Sequence, residues 1–255
     1  GSELKALKAH PAFSAEIDRD ALCLLMRHNY IPAPHSIYRG IYKLQPGTFL
    51  TVSLERREPV FHTYWSLADV AVSGNRNRFT GSPEQALDEL DVLLKSAVRQ
   101  QMVADVPLGA FLSGGIDSST IVALMQAQSS QPVKTFTIGF NEAGYNEALH
   151  AKAVACHLGT EHTELYVTPQ QALDVIPNLP KLYCEPFSDS SQIPTFLVSQ
   201  LARQKVTVSL SGDAGDELFA GYNRYVLAQN LWGKLSRVPL GMRSLAAAEI
   251  RGISP

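Results

Sequence analysis

Two short segments hold side chains that could do chemistry together. The first is Ser113-Gly114-Gly115-Ile116-Asp117-Ser118-Ser119. An apolar run from Val106 to Leu112 precedes it, and Ile121 to Gln126, good helix material, follows. Pro107 can open that strand but could not sit in its middle. The order is strand, paired glycines among hydroxyls, then helix. Gly114 and Gly115 permit positive φ and a close approach of backbone to a ligand. Ser113, Ser118 and Ser119 add hydroxyl donors, and the helix start offers unpaired N–H groups at the positive end of its dipole. Such a turn favours an anion, and phosphate in particular. No lysine lies near it, so it is not the Gly-Lys-Ser/Thr loop of the common NTPases. Asp117 would repel a bare phosphate, which suggests a Mg²⁺ ion between carboxylate and phosphate oxygens.

The second segment, Ser211-Gly212-Asp213-Ala214-Gly215-Asp216-Glu217, follows another apolar run, Val206 to Leu210. Asp213 and Asp216, three apart, can point into the cleft that holds Asp117. Two carboxylates converging on triphosphate oxygens make a Mg²⁺ site plausible. A capped Gly-Ser turn and a solvated acidic turn are the plainer readings of the two segments. The full strings, each placed just after a strand, favour ligand binding.

The elements that must position these segments alternate along the chain. Ser82-Pro83-Glu84-Gln85 is a helix start, with Leu87, Leu90, Leu94, Ala97 and Val98 following at helical spacing. Beyond the first segment, Val133 to Phe140 reads as a strand. Asn146 then caps a helix through Leu149, Val154 and Leu158, which Gly159 stops. His162 to Val167 is a third strand. Thr168-Pro169-Gln170-Gln171 opens a helix that Pro177 and Pro180 shorten, and Ile193 to Arg203 is another helix before the strand at 206–210. Strands alternating with helices predict an α/β fold with a doubly wound parallel sheet, whose ligands sit beyond the C-terminal strand ends.

Upstream, residues 1–15 read as polar and loose. Asp18 caps a helix through Leu22, Leu24, Leu25 and Met26, which Pro32 and Pro34 end. Pro46-Gly47 signals a type II turn, and 48–52 and 59–65 read as two strands. About 65 residues of this kind bury too little to stand comfortably alone. They read as the tail of a sheet domain (1–67), followed by a polar linker (68–82) and the α/β domain (83–255).

With 45% hydrophobic and 18% charged residues and a net charge of −2, the chain is an ordinary soluble protein. That balance gives no electrostatic case for nucleic acid. No apolar run approaches the roughly 18 residues of a membrane helix, and no signal-peptide pattern opens the chain. Cys23, Cys156 and Cys184 are isolated, which predicts reduced thiols, a cytoplasmic location and no metal site built on them. Gly1-Ser2 without a methionine, and the stop at Ile253-Ser254-Pro255, read as the ends of a piece of something longer.

The string Ser113 to Ser119, with Ser211-Gly212-Asp213-Ala214-Gly215-Asp216-Glu217-Leu218-Phe219-Ala220-Gly221-Tyr222, resembles the glutamine-dependent asparagine synthetase family, within the wider ATP-pyrophosphatase group. The likeness runs from about Val103 to Tyr225. Residues 30–34 and 43–47 more weakly resemble the end of that family's amino-terminal glutaminase domain. The resemblance implies an adenine nucleotide alpha hydrolase-like sheet preceded by the remnant of an α+β N-terminal-nucleophile domain. It implies ATP and Mg²⁺ as cofactors, with Ser113, Gly114, Gly115, Asp117, Ser118 and Ser119 on the β- and γ-phosphates. Asp117 and Asp216 would hold the metal. Backbone at Phe111, Ile138, Ser211 and Gly212 would frame the adenosine, and Asp213 would orient the acyl-adenylate and incoming ammonia, with Asp117 also counted as catalytic. The implied reaction amidates a carboxylic acid such as aspartate through an acyl-adenylate, with ammonia from glutamine. A sugar uronate or a β-lactam precursor remains an alternative acid, and a non-catalytic nucleotide-binding module an alternative role. Glu185 to Ser191 would form a substrate-side loop. The family's nucleophilic cysteine directly after the initiator methionine has no counterpart here, Cys23 reading as a core residue of its helix. A catalytic lysine lies further downstream in the family. The expectation is a chain that lacks glutaminase activity and, alone, binds ATP weakly and ligates poorly. A homodimer is compatible with the sequence, which does not fix the oligomeric state.

Overall fold

The computed structural model describes residues 1–140 and 146–252, so the chain end at 253–255 noted above lies outside the described residues. In chain order the elements are α1 (Leu4–Lys8), α2 (Arg19–His28), β1 (Thr48–Thr51), β2 (Val60–Thr63), α3 (Leu67–Arg76) and α4 (Pro83–Gln101). There follow β3 (Leu108–Phe111), α5 (Ile116–Ala127), β4 (Lys134–Phe140), α6 (Ala148–Leu158), β5 (Glu161–Val167) and α7 (Pro169–Val175). After a 3₁₀ turn at Ile176–Asn178 come α8 (Leu179–Leu182), α9 (Gln192–Arg203), β6 (Val208–Leu210), α10 (Gly215–Phe219), α11 (Asn223–Leu235) and α12 (Leu240–Gly252). The described residues fall into two compact units: 1–97 with 138–140 and 165–204, and 98–137 with 146–164 and 205–252.

The main sheet has strand order β5-β4-β3-β6, with β3 parallel to both β4 and β6. This is the expected parallel α/β sheet. Its first strand lies inside, flanked by the second on one side and the last on the other. The chain therefore leaves β3 toward one edge and returns to its opposite side at β6. The C-terminal ends of β3 and β6 flank a topological switch point, where open α/β sheets place their ligands. Pro107, just before β3, offers only its carbonyl, which accepts from Thr207 N at 2.9 Å.

In the second unit Ala110 and Leu112 pack with Val122 and Met125 of α5, Ala151 and Ala155 of α6, and Val98. In the first unit Ile138, Phe140 and Val167 pack with Val175 of α7 and Leu197 of α9. Side chains alternate along β4, so Thr135, register partner of Ala110, and Ile138 leave the strand on opposite faces. Thr135 bonds Thr160 (3.0 Å) and His162 (2.8 Å) on the α5–α6 face. Burial holds the His162 imidazole below its ordinary pKa, with Lys152 acting the same way and Glu164 opposing.

Most local signals act as expected. Thr168 and Gln171 close a reciprocal capping box, Gly159 ends α6 in the left-handed region, and Asp18 accepts from Asp20 N and Ala21 N. Four expectations need correction. Residues 68–76, read as a linker without regular structure, are helical within α3, because Ser66 caps the helix through Asp69 N at 3.3 Å. Residues 4–8, read as loose, form α1, with Leu4 packed on Ala21, Ile31 and Ile37. Leu87 and Ala97 of α4 stay exposed, because the inward stripe is the narrower series of half-buried Ala86, Leu90 and Leu94 with buried Val98. Cys23 lies in α2 but is exposed, not core. At about 100° per residue it points well away from the buried Ala21.

Candidate functional site

The turn after β3 is held mainly by its own hydroxyls. Ser118, the third residue of α5, is buried. Its Oγ accepts from Ser113 N (3.2 Å), pairs with Ser113 Oγ (2.9 Å) and donates to Gly115 O (3.3 Å). Gly115 N donates to Ser113 Oγ at 3.2 Å. Gly114 takes φ +82°, and a Cβ there would lie 2.6 Å from Ala151 N and 2.7 Å from His150 Cβ. The turn is therefore seated against the first turn of α6. Ser119 Oγ is buried and has no hydrogen-bond partner among the described residues. An orphaned hydroxyl costs about 1–3 kcal/mol when buried, which a ligand acceptor would recover.

The turn after β6 meets this loop directly. A Cβ on Gly212 would lie 2.6 Å from Ser118 N and 2.8 Å from Asp117 C. One on Gly215 would lie 2.5 Å from Asp117 Oδ2. The glycines are thus required by close approach: backbone of the acidic turn lies against the start of α5 and the Asp117 carboxylate. The two segments singled out in the sequence do converge at the switch point. Ser211 Oγ donates to Asp213 Oδ2 at 3.0 Å.

The acidic turn carries strain. Ala214 (φ +72°) and Ala220 (φ +58°) bracket α10 in the left-handed region, at roughly 1–2 kcal/mol each for an L-residue. A Cβ on Gly221 would collide with Asp216 Oδ1 and lie 3.0 Å from its Cγ, so the Asp216 carboxylate folds over that glycine. Tyr222 OH donates to Glu217 Oε1 at 2.7 Å, and this bond pushes the phenol pKa up to about 12. The Arg224 guanidinium lies 4.5 Å from the Tyr222 ring centroid.

Among the described residues, no group of three or more His, Cys, Asp or Glu could hold a metal by itself. Asp117 and Asp216 therefore suit only an ion that takes most of its oxygens from phosphate and water. Mg²⁺ is such an ion, since it keeps waters and is commonly bound by one or two carboxylates plus phosphate.

Ile138, Glu185 and Asp189 belong to the first unit. The Ile138 side chain belongs to the apolar cluster around Val167, Val175 and Leu197. Glu185 is a structural anchor of the first unit. It pairs with Lys43 and accepts from Ile37 N, while Lys43 also donates to Ile31 O at 2.7 Å. Asp189 caps the following turn through Ser191 N at 2.8 Å, and that bond with the Ser191 hydroxyl holds its carboxyl below the usual range. The residues that sequence reasoning passed over are Tyr222, Gly221 and the His150–Ala151 backstop. Only the first two had a signal, as the end of the acidic string.

The asparagine synthase family model matches residues 89–253, well over half of the chain. The chain belongs to the asparagine synthase family. A glutamine amidotransferase domain model matches residues 1–65. The chain is 38% identical over 224 residues to a putative glutamine-hydrolyzing asparagine synthetase 2 of Methanocaldococcus jannaschii, covering 87% of this chain and 42% of that protein. It is 32% identical over 231 residues to glutamine-hydrolyzing asparagine synthetase 1 of Bacillus subtilis, covering 90% of this chain and 35% of the relative. The chain thus spans less than half the length of these two relatives. Among solved structures, the NH3-dependent NAD synthetase of Campylobacter jejuni is similar over 53% of this chain and 60% of that one, at 15% identity and a TM-score of 0.39. Among the described residues no helix is long and apolar enough to cross a membrane.

Proposed function

We propose that the two converging turns bind Mg²⁺-ATP, and that the chain is the nucleotide-binding part of an amide-forming, ATP-dependent ligase of asparagine synthetase type. The observation that carries this reading is the seating of Gly212 and Gly215 on Asp117 and Ser118. It makes one crevice of the hydroxyl-and-glycine turn and the acidic turn. Family membership supplies the reaction class. Residues 1–67 would belong to the glutaminase domain, 68–82 to a linker and 83–255 to the synthetase domain.

A carboxylate is not amidated directly, because oxide is a poor leaving group. Attack of the acid's oxygen on the α-phosphorus of ATP forms an acyl-adenylate and releases pyrophosphate. Ammonia then adds to the acyl carbon and AMP leaves. The protein's part is positioning and charge neutralisation. The N–H groups at the start of α5 and the Ser113 and Ser119 hydroxyls would grip the β- and γ-phosphates, while Ser118 keeps the turn in shape. Backbone at Phe111, Ile138, Ser211 and Gly212 would border the adenosine. Asp213, tied to Ser211, would face the acyl group and ammonia. Mg²⁺ held by Asp117 and Asp216 would neutralise phosphate charge. Aspartate is the proposed acid and glutamine the nitrogen source.

Calorimetric titration of the chain with ATP, with and without Mg²⁺, tests the site. Asp117→Asn and Asp216→Asn should each weaken Mg²⁺-ATP binding at least about tenfold, the worth of one charge-assisted contact. Binding indifferent to the metal and to both substitutions would leave only a plain nucleotide module. Amide formation from a panel of acids by the full-length protein decides the acid, with asparagine expected.

A further inference from the structure

We propose that Tyr222 is a positioning residue: its hydroxyl, clamped on Glu217, fixes α10 and thereby the direction in which Asp216 is presented. The inference rests on the Mg²⁺-ATP reading of the site and assigns a role to a residue outside it.

α10 is five residues long, and both of its flanking residues, Ala214 and Ala220, are in the left-handed region. A single strained turn of helix has little stability of its own, since short helices depend on outside contacts. Tyr222 provides one. Its 2.7 Å bond to Glu217 Oε1 spans the C-terminal end of α10. From its other side the ring is held by Arg224 at 4.5 Å and lies 5.8 Å from Tyr225. Tyr225 N in turn bonds Tyr222 O at 3.0 Å, which roots the clamp in the start of α11.

Glu217 and Asp216 are consecutive on the helix, so their side chains diverge by about 100°. Holding Glu217 on Tyr222 therefore holds Asp216 on a different bearing. Gly221 completes the arrangement: Gly221 N donates to Asp216 O at 3.0 Å, and its missing Cβ leaves room for the Asp216 carboxylate. The clamp also occupies the third acid of the turn. With Glu217 engaged by a phenol, the carboxylates left for a metal are those whose charge a phosphate-bound ion needs, and no three-acid cage forms among the described residues.

Three variants of the full chain test this, Tyr222→Phe, Glu217→Ala and Glu217→Gln, with Mg²⁺-ATP affinity and hydrogen exchange over residues 215–221 as readouts. Tyr222→Phe and Glu217→Ala should each weaken Mg²⁺-ATP binding by about 3–10-fold, the net worth of an ordinary hydrogen bond, since water screens this exposed pair. Both should speed exchange over 215–221 without ligand. Glu217→Gln, which keeps the acceptor and loses the charge, should restore both readouts to within about twofold, a change too small to represent a lost bond. Equal damage by Glu217→Gln and Glu217→Ala would overturn the clamp in favour of a charge role for Glu217. Unchanged exchange in Tyr222→Phe would overturn it whatever the nucleotide does. If the parent chain shows no Mg²⁺-ATP binding while exchange responds as expected, the nucleotide reading fails and the clamp on α10 stands.

Discussion

The turn after β3 and the turn after β6 lie against each other, yet they are built on opposite principles. The first is satisfied from within. The Ser113–Ser118 hydroxyl pair and the Gly115 contacts close it, and Gly114 carries its positive φ without penalty while pressed on α6. The second places left-handed backbone on alanines rather than glycines and depends on a side-chain clamp, Tyr222 to Glu217, for its shape. Ser118 is buried, whereas Asp213, Glu217 and Phe219 are exposed. On the proposed reading the first turn would be a preformed socket for phosphate, and the second a strained arm that holds carboxylates in place beside it.

Gly114→Ala is the severest way to break the comparison. The new methyl group meets backbone at Ala151 N, which cannot swing aside, and φ +82° is strained for any L-residue. Overpacking and left-handed strain together should destabilise the protein by about 2–4 kcal/mol, a fall of roughly 5–15 °C in melting temperature. Gly40→Ala is the internal control. It has φ +74° but nothing within 4 Å of the added Cβ, so it isolates the conformational part, about 1–2 kcal/mol of left-handed strain less about 0.5–1 kcal/mol of unfolded-chain entropy. If the two variants melt together, the socket is not packed on α6 as described.

Gly215→Ala sharpens the contrast from the other side. Its new methyl group meets the Asp117 side chain, with Oδ2 at 2.5 Å and Cβ at 2.9 Å; the carboxylate can swing aside, but the Cβ yields only with the backbone. The melting temperature should fall less than in Gly114→Ala, by about 2–6 °C, since only a small shift is needed and alanine suits the helix start. Mg²⁺-ATP affinity should fall at least about tenfold, because the displaced group is a charged one. A variant that binds as tightly as the parent would mean the Asp117 carboxylate is not needed where it lies.

The socket was legible from sequence because its signals are local. Pro107 before a strand, paired glycines after it and a helix beyond are each statements about neighbouring residues. The same holds for the capping box at Thr168 and the stop at Gly159. What sequence could not show was which contacts those residues make. That the Ser118 hydroxyl faces inward to Ser113, leaving Ser119 orphaned, depends on the phase of α5 relative to the turn. The reason for Gly114 lies in α6, whose residues carry no mark of it. Cys23 and Leu87 were misplaced because apolar residues surround each of them on several faces of the helix. A period of 3.6 then fits more than one buried stripe. α3 was passed over because its polar residues hid an ordinary Ser66 cap.

The arm can also be relaxed instead of broken, and this gives the smallest expected effect. Ala214→Gly removes the cost of left-handed φ but adds chain entropy to the unfolded state. The first term, about 1–2 kcal/mol, slightly exceeds the second, about 0.5–1 kcal/mol, so stability should rise by about 0.5 kcal/mol in urea titration. Binding should move the other way. A glycine at the entrance to α10 leaves the turn more conformations to lose when the metal and nucleotide arrive, so Mg²⁺-ATP affinity should fall by about twofold, as 0.5 kcal/mol implies. Opposite signs in the two measurements are what a strained, preorganised arm requires. A gain in both would mean the strain at Ala214 serves no purpose in binding, and the difference between the two turns would reduce to one of packing.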